Sequence, residues 1–574
     1  MARSKNPSIY LRLAPHFDKD GVSALSIHLV IENPSIQDGQ PMFLFDTFMD
    51  NVPGHPYCES DIHASDDDGP LPLTFRDIPS LNRNTQQYWC PTRQTKGHVS
   101  LRFDAFPRSV SEKTPLGARV DLRRDQGGIQ GVGRWFLPLL ISERVHKNTV
   151  EWILPDEVPP STRCVWSLGE GPEPVVVIGR ADTVWRTVYM TGPVCSYPDS
   201  AAQKGDILAA CYWFGNLTSN LDRLKAYNTS LYPKMAEHFG VSGESYRVFI
   251  RKTKVGFGGT GFIGSYVLEY DEPVADETDD SLLLLFTHEM VHSFSSLSAE
   301  EDGYDNAWFE EGSIFQRFIY IQANGSLGIA ELYSAYLPYR FGFRGKPFLI
   351  ESINRHLQGY FSSPRISMDI REAGQEMFSD WYAEWIPYKR GCIYLLFIDF
   401  CMRKQDGQSD FLYNGRLDQI VADLSRRWRV GETVRARDWL NQIRNELDHP
   451  GFSLDDHFRN MLDGKQLMDF TGFSFNESLT CFIPIEIPIL EFGFDKSSRS
   501  TRVITGVVPG SNAQSAGLRD GMHLLEASMP SNCVENVNEI YQVKVQDGNI
   551  KQTIRFLPRR SEKALAWQVQ DSTS

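Results

Sequence analysis

The 574-residue chain has nine cysteines, odd in number and never spaced as Cys-x-x-Cys, so neither a disulfide framework nor a thiolate zinc cluster is expected. No run approaches the roughly 18 apolar residues needed to span a membrane. The first residues, MARSKNPSIYLRLAPHFDKDG, lack the apolar core of a signal peptide. A basic surplus is also missing: 73 acidic residues outnumber 58 basic ones, for a formal charge of −15, which argues against nucleic acid as the main partner. Low-complexity tracts and internal repeats are absent, and the Asn-x-Ser/Thr matches at Asn216, Asn228 and Asn476 mean little without secretion. The expectation is a cytoplasmic chain with neither membrane nor nucleic acid as partner. Hydrophobic residues make up 41% and charged residues 23%, ordinary for a core-forming protein long enough for about three or four domains.

The pattern along the chain is α+β and multidomain. In SALSIHLVIE, Leu25, Ile27, Leu29 and Ile31 alternate, as do Val99, Leu101 and Phe103 in HVSLRFDAF; period 2 predicts strands. Turn-rich, acidic HASDDDGPLP reads as a surface loop. A β-sandwich-like domain over residues 1–190 follows. The segment 191–480 begins with strand patterns, ESYRVFIRKT and GGTGFIGSYVLEYD, up to about residue 275. It turns helical at DETDDSLLLLFTHEMVHSF, where acidic residues stand at the helix start. The basic run SRRWRVGETVRARDW reads as a solvated helix face. Residues 481–574 return to short strands, glycine turns and one short helix.

One stretch carries chemistry. His288 and His292 are four apart with Glu289 between, so on a helix both imidazoles leave one face and can bind one ion. Glu289 stands where its carboxylate can take a proton from an attacking water. The alternative is a core helix with two hydrogen-bonded histidines. Downstream, WFEEG offers Glu310 and Glu311, and eighteen residues separate His292 from Glu311. Further on stands WIPYKRGCIYLLFIDFCMRK, with Tyr382, Tyr388 and Tyr394 close together.

HEMVH, WFEEG, YKRG and SLDDHFRNMLDG together resemble the glycyl aminopeptidase family of gluzincin zinc metallopeptidases. The resemblance covers most of the chain and is weakest before residue 190. It implies an N-terminal β domain, a thermolysin-like catalytic domain with a helical lobe, and a C-terminal PDZ-like domain. It also implies one Zn2+ per chain held by His288, His292 and Glu311, since gluzincins bring a glutamate to the zinc at that spacing, directly before a glycine. By the same resemblance Tyr388 donates to the oxyanion and Gly391 lets its helix pack closely, with Tyr382 and Tyr394 as alternatives. GGTGFIGSYVLEY occupies the place of the family's glycine-rich strand, so Gly258, Gly259 and Gly261 are expected to pair with a peptide substrate; an ordinary buried strand is the alternative. The family's acidic residue for a substrate amine is missing there, where Phe262 and Ile263 stand, and Glu310 is the best substitute. At the C-terminus, LEFGFDKS is similar to a PDZ carboxylate-binding loop, which implies a C-terminal peptide as a possible ligand. Met522 after Gly521 departs from the usual aspartate, and a degenerate domain that only packs is the alternative.

Two functions from different classes follow. One is a zinc metallopeptidase with aminopeptidase character, Glu289 as base and Tyr388 as oxyanion donor. The other is a weak or inactive peptidase-like scaffold that binds partners through its PDZ-like domain.

Overall fold

The structure is a computed structural model. It describes residues 6–571 except 50–51, 79–84, 112–113, 115–116, 200–207, 255–257, 272–274, 276, 295–326, 377–378, 408–413, 430–431, 433, 448–452, 466–467 and 476–479. The described chain is multidomain α+β and divides into two compact units. The first comprises residues up to Pro233 with Gly243–Asp279, the second Lys234–Ser242 and the chain from Asp280 onward.

In the first unit the period-2 segments are strands. Leu25, Ile27, Leu29 and Ile31 are buried along Gly21–Ile31, and Val99, Leu101 and Phe103 along Val99–Ala105. The antiparallel pair Ser8–Asp18 and Gly21–Ile31 lies in the middle of a seven-stranded sheet. A nine-stranded sheet runs from Arg123–Asp125 to Gly258–Phe262. Val188–Tyr197 belongs to this sheet throughout, pairing with Gly128–Val132 and Thr162–Trp166 near its start and with Ala209–Phe214 near its end. Strands on both sides of residue 190 therefore share one sheet. A single core joins the sheets through Trp89, Trp166, Tyr189 and Val267.

HASDDDGPLP is not a plain loop. His63–Asp66 and Gly69–Pro70 form a hairpin that extends the seven-stranded sheet. Gly69 takes φ +101°, a conformation suited to glycine. Asp66 receives Arg93 at 2.6 Å and the Lys96 amide at 2.9 Å. The Arg93 guanidinium is the main cause that holds the Asp66 carboxyl down at about 2. The acidic run is thus pinned by an arginine nearly thirty residues away, which local turn propensity does not report.

The expected strands before the histidine motif are present. Tyr246–Lys252 pairs in parallel with Ser265–Tyr270, which pairs antiparallel with Gly258–Phe262. Beneath them lies a buried ion cluster. Arg251 donates to Glu269 at 2.9 Å and to Asp121 at 2.8 Å. Arg123 reaches the same two carboxylates, and Arg108 reaches Asp121 at 3.0 Å.

The second unit opens with helices at Asp279–Val291, Leu327–Arg340, Lys346–Phe361 and Ile386–Gln405. They are called here, in order, the histidine, glutamate, spacer and tyrosine helices. The tyrosine helix starts with Pro387 in its first turn, ends with Arg403 and Lys404 in its last, and is buried along most of its length; proline at the start and cations at the end suit a helix. The basic run lies on and after the helix Arg416–Arg429, where Arg426 pairs with Asp423 and Arg427 with Glu432 and Asp438. No helix among the described residues is long and apolar enough to cross a membrane.

The C-terminal β region has a two-stranded sheet, Thr480–Leu490 with Arg559–Asp571, and a three-stranded one built from His523–Ala527, Tyr541–Asp547 and Ile550–Phe556. Met522, where an aspartate was the family expectation, is a core residue packed with Leu518, Phe492 and Tyr541. In LEFGFDKS, the Glu491 amide donates to Pro558, the Phe492 amide to the Tyr382 hydroxyl and the Asp495 amide to Thr505. Trp381, just before the tyrosine helix, stacks on Phe492 at 4.4 Å and donates its indole N–H to Phe494. The start of that helix is therefore built on the C-terminal core.

Candidate functional site

The histidine helix is apolar because it is buried: Leu282, Leu283, Phe286 and Met290 are all core residues. His288 stands in its last turn, and His292 follows directly after Val291, in the turn that ends the helix. Their rings lie 4.8 Å apart at 86°, so the two imidazoles sit together, as the four-residue spacing requires. Glu289, between them, is buried. Burial, then the neighbouring His288, pushes the His292 imidazole well below its ordinary value. A neutral imidazole keeps a lone pair for a metal.

Tyr388, in the first turn of the tyrosine helix, brings its ring to 6.4 Å from that of His288, at 21°. The other two tyrosines go elsewhere. Tyr382 receives the Phe492 amide at 3.2 Å, and Tyr394 is buried against His457 and Phe458. His288, Glu289, His292 and Tyr388 thus form one neighbourhood. Glu310 and Glu311 lie outside the described residues.

Gly258, Gly259 and Gly261 sit on the strand that ends the nine-stranded sheet among the described residues, in the first unit. Gly258 has φ +155°, and a Cβ there would meet the Arg119 guanidinium at 2.4 Å. Arg119 also donates to the Gly259 carbonyl at 3.2 Å. Clearance for Arg119 is thus one reason for glycine at 258. Glu269, opposite Gly258 on the neighbouring strand, is the buried carboxylate already engaged by Arg123 and Arg251.

Four residues close to this neighbourhood were not singled out from the sequence. Glu331, on the glutamate helix, is 3.0 Å from His288 Nδ1 through Oε1. Its Oε2 is 2.7 Å from Lys389 Nζ and 3.1 Å from His356 Nδ1. Lys389, the residue after Tyr388, also reaches Glu535 at 2.5 Å. Burial opposes the Lys389 ammonium, but the carboxylates of Glu331 and Glu535 outweigh it and keep its pKa raised. Burial likewise opposes the Glu331 carboxylate, and Lys389, then His356, hold it well below its usual range. A signal for these residues did exist: a lysine inside PYKRGCIYLLF and a glutamate inside LGIAELYSAYL are charges within apolar helices, and such charges need partners. Which partners is a tertiary fact.

Glu331, His356 and Glu535 offer ligand atoms all within 4.8 Å of one another. The ammonium of Lys389 already bonds to all three, so this cluster holds its own cation. His288 and His292 are the better fit to a bound metal. A hydrogen bond from Nδ1–H to Glu331 would leave Nε2 of His288 as the atom able to take a metal, the usual arrangement for a metal-binding imidazole.

No family model matches the chain, and no curated protein matches it. Among solved structures, an aminopeptidase N family protein from Idiomarina loihiensis aligns with TM-score 0.63 and 14% identity over 98% of both chains. An M1 zinc metallopeptidase from Deinococcus radiodurans aligns with TM-score 0.46 and 14% identity, over 81% of this chain and 95% of its own. The first likeness establishes that the chain has the overall fold of an aminopeptidase N family protein.

Proposed function

We propose that this chain is a zinc-dependent peptidase that hydrolyses peptide bonds, with His288, His292 and Glu311 as the ligands of one zinc. The observation that carries the reading is the meeting of His288, His292 and Tyr388, with His288 Nδ1 at 3.0 Å from a carboxylate. Bound there, zinc supplies Lewis-acid polarisation of a carbonyl and a more acidic water. Glu289 takes the proton from the attacking water and passes it to the leaving amine. Tyr388 donates its hydroxyl hydrogen to the oxygen that gains negative charge, a contribution typically worth a few kcal/mol.

Aminopeptidase character of the glycyl type belongs to the same proposal, with the strand carrying Gly258, Gly259 and Gly261 as the element that pairs with extended substrate. Glu269 is committed to two arginines, which leaves amine recognition to Glu310 or makes it weak. A charge-assisted hydrogen bond to an ammonium is worth about 1.5–3 kcal/mol. Acetylating the amine of a good substrate should therefore lower kcat/KM by less than about tenfold, or Glu310→Ala should abolish whatever preference exists. A penalty of a hundredfold or more that survives Glu310→Ala would assign the amine to another group.

Metal analysis with turnover of a fluorogenic peptide panel tests the whole reading. Zinc and turnover support the peptidase. Neither would leave the scaffold function; in the loop LEFGFDKS the Glu491, Phe492 and Asp495 amides are already donated within the chain.

A further inference from the structure

We infer that Lys389 and Glu535 are positioning residues for the His288 imidazole, so that the C-terminal β region is a working part of the metal site and not a separable module. This rests on His288 being a metal ligand, as proposed above.

The ammonium of Lys389 has three N–H donors and no acceptor. It lies 2.7 Å from Glu331, 3.2 Å from His356 Nδ1 and 2.5 Å from Glu535. Those three partners come from the glutamate helix, the spacer helix and the short helix Pro530–Glu535. The stem of Lys389 passes over Gly359, where a Cβ would sit 3.2 to 3.3 Å from its Cγ, Cδ and Cε. The room for this lysine is therefore built into the spacer helix.

Glu331 divides its carboxylate. Oε1 faces His288 Nδ1 at 3.0 Å, while Oε2 is held by Lys389 and faces His356. A carboxylate held at one oxygen presents the other at a fixed angle, which fixes both the ring and the tautomer of the histidine. Lys389 in turn is held from the far side by Glu535. The end of the Glu535 helix is held by Arg559, which donates to the Cys533 and Asn536 carbonyls, and just beyond it the Val537 amide donates to Gln358 of the spacer helix. The chain of contacts from the C-terminal β region to the imidazole is thus Glu535, Lys389, Glu331, His288. Removing the lysine would leave buried acceptors without their cation, and Glu331 would be free to turn away from Nδ1.

The test measures zinc affinity of the full chain by competition with a chromophoric chelator, and the visible spectrum of the cobalt-substituted chain. The variants are Lys389→Met and Glu535→Gln, with Lys544→Met as control, since Lys544 pairs with Glu526 on the exposed face of the same β region. Lys389→Met should weaken zinc binding by about 10- to 100-fold, the range for outer-shell partners, and Glu535→Gln by several-fold. Both should shift the cobalt bands, which a loss of stability alone does not do. The double variant should lose less than the product of the two single losses, because both act through one contact chain. The control should bind as wild type. Folded variants that bind zinc within twofold of wild type with unshifted cobalt bands would overturn the inference. Should Lys389→Met fail to fold, the near-isosteric Glu535→Gln decides by the same criterion. A wild-type chain that binds no zinc would take down the metal reading and this inference together, whereas tight wild-type binding with indifferent variants would take down this inference alone.

Discussion

Two of the buried ion clusters among the described residues, one from each unit, combine the same kinds of groups in different proportions. In the first unit Asp121 and Glu269 face Arg108, Arg123 and Arg251, so guanidinium outnumbers carboxylate. In the second, Glu331 and Glu535 face the single ammonium of Lys389, so carboxylate outnumbers cation. The first cluster also ends on backbone: Arg251 donates to the Asp121 and Gln130 carbonyls, tying strands and loops together. The second ends on the Nδ1 atom of His288. A surplus of positive charge repels a dication, and a surplus of negative charge beside two imidazoles suits one. Burial of charge alone therefore does not mark a site.

The largest effect should come from Glu289, the proposed base. Glu289→Gln should keep its zinc and lose turnover by roughly a thousandfold or more, since an amide cannot accept the proton and general base catalysis contributes about 10²–10⁴. Elemental analysis alongside peptide hydrolysis checks this, and a variant with near wild-type turnover would remove Glu289 from its role. The matching lesion in the first cluster should act on stability instead. Arg251→Met leaves two buried carboxylates short of a partner and should cost about 3–5 kcal/mol in urea unfolding. Folded Arg251→Met protein should bind zinc as wild type does; weakened zinc binding would erase the contrast between the clusters.

A smaller effect separates the tyrosines. Tyr388→Phe should lower kcat on the order of a hundredfold with little change in KM. Tyr382→Phe and Tyr394→Phe should leave kcat within about twofold, because the Tyr382 hydroxyl serves the Phe492 amide and the Tyr394 ring stacks on His457. A reversed order would move the oxyanion role. A pH effect is shared by both units. His55 in the first and His457 in the second are each pushed down to about 4 by burial. Between their folded values and the ordinary histidine value of about 6.5, the unfolded chain binds more protons than the folded one. Both contributions are therefore complete above about pH 6.5 and are lost as pH falls toward 4. Thermal melts from pH 8 to 4.5 should be flat above neutrality and fall below it, and a rise on acidification would contradict the sign.

Much of this was legible in the residues because it depends on local period. Alternation placed Leu25, Ile27, Leu29 and Ile31 inside, and the four-residue spacing put His288 beside His292. The hairpin at His63–Pro70 was missed because the stabilising partner of its acidic run, Arg93, is remote in sequence. Lys389 and Glu331 announced only that they needed partners. Their pairing with Glu535, more than 140 residues from Lys389, is set by packing of four separate elements, and no local pattern encodes it.

The central claim, that one zinc at the histidine helix drives peptide hydrolysis, is tested most directly by titrating the chelator-stripped chain with zinc while following a fluorogenic peptide. Turnover absent in the stripped chain should rise and saturate near one zinc per chain, and Glu311→Ala should need far more zinc or never respond. Full turnover without metal, or saturation in Glu311→Ala at the wild-type zinc concentration, would contradict the account.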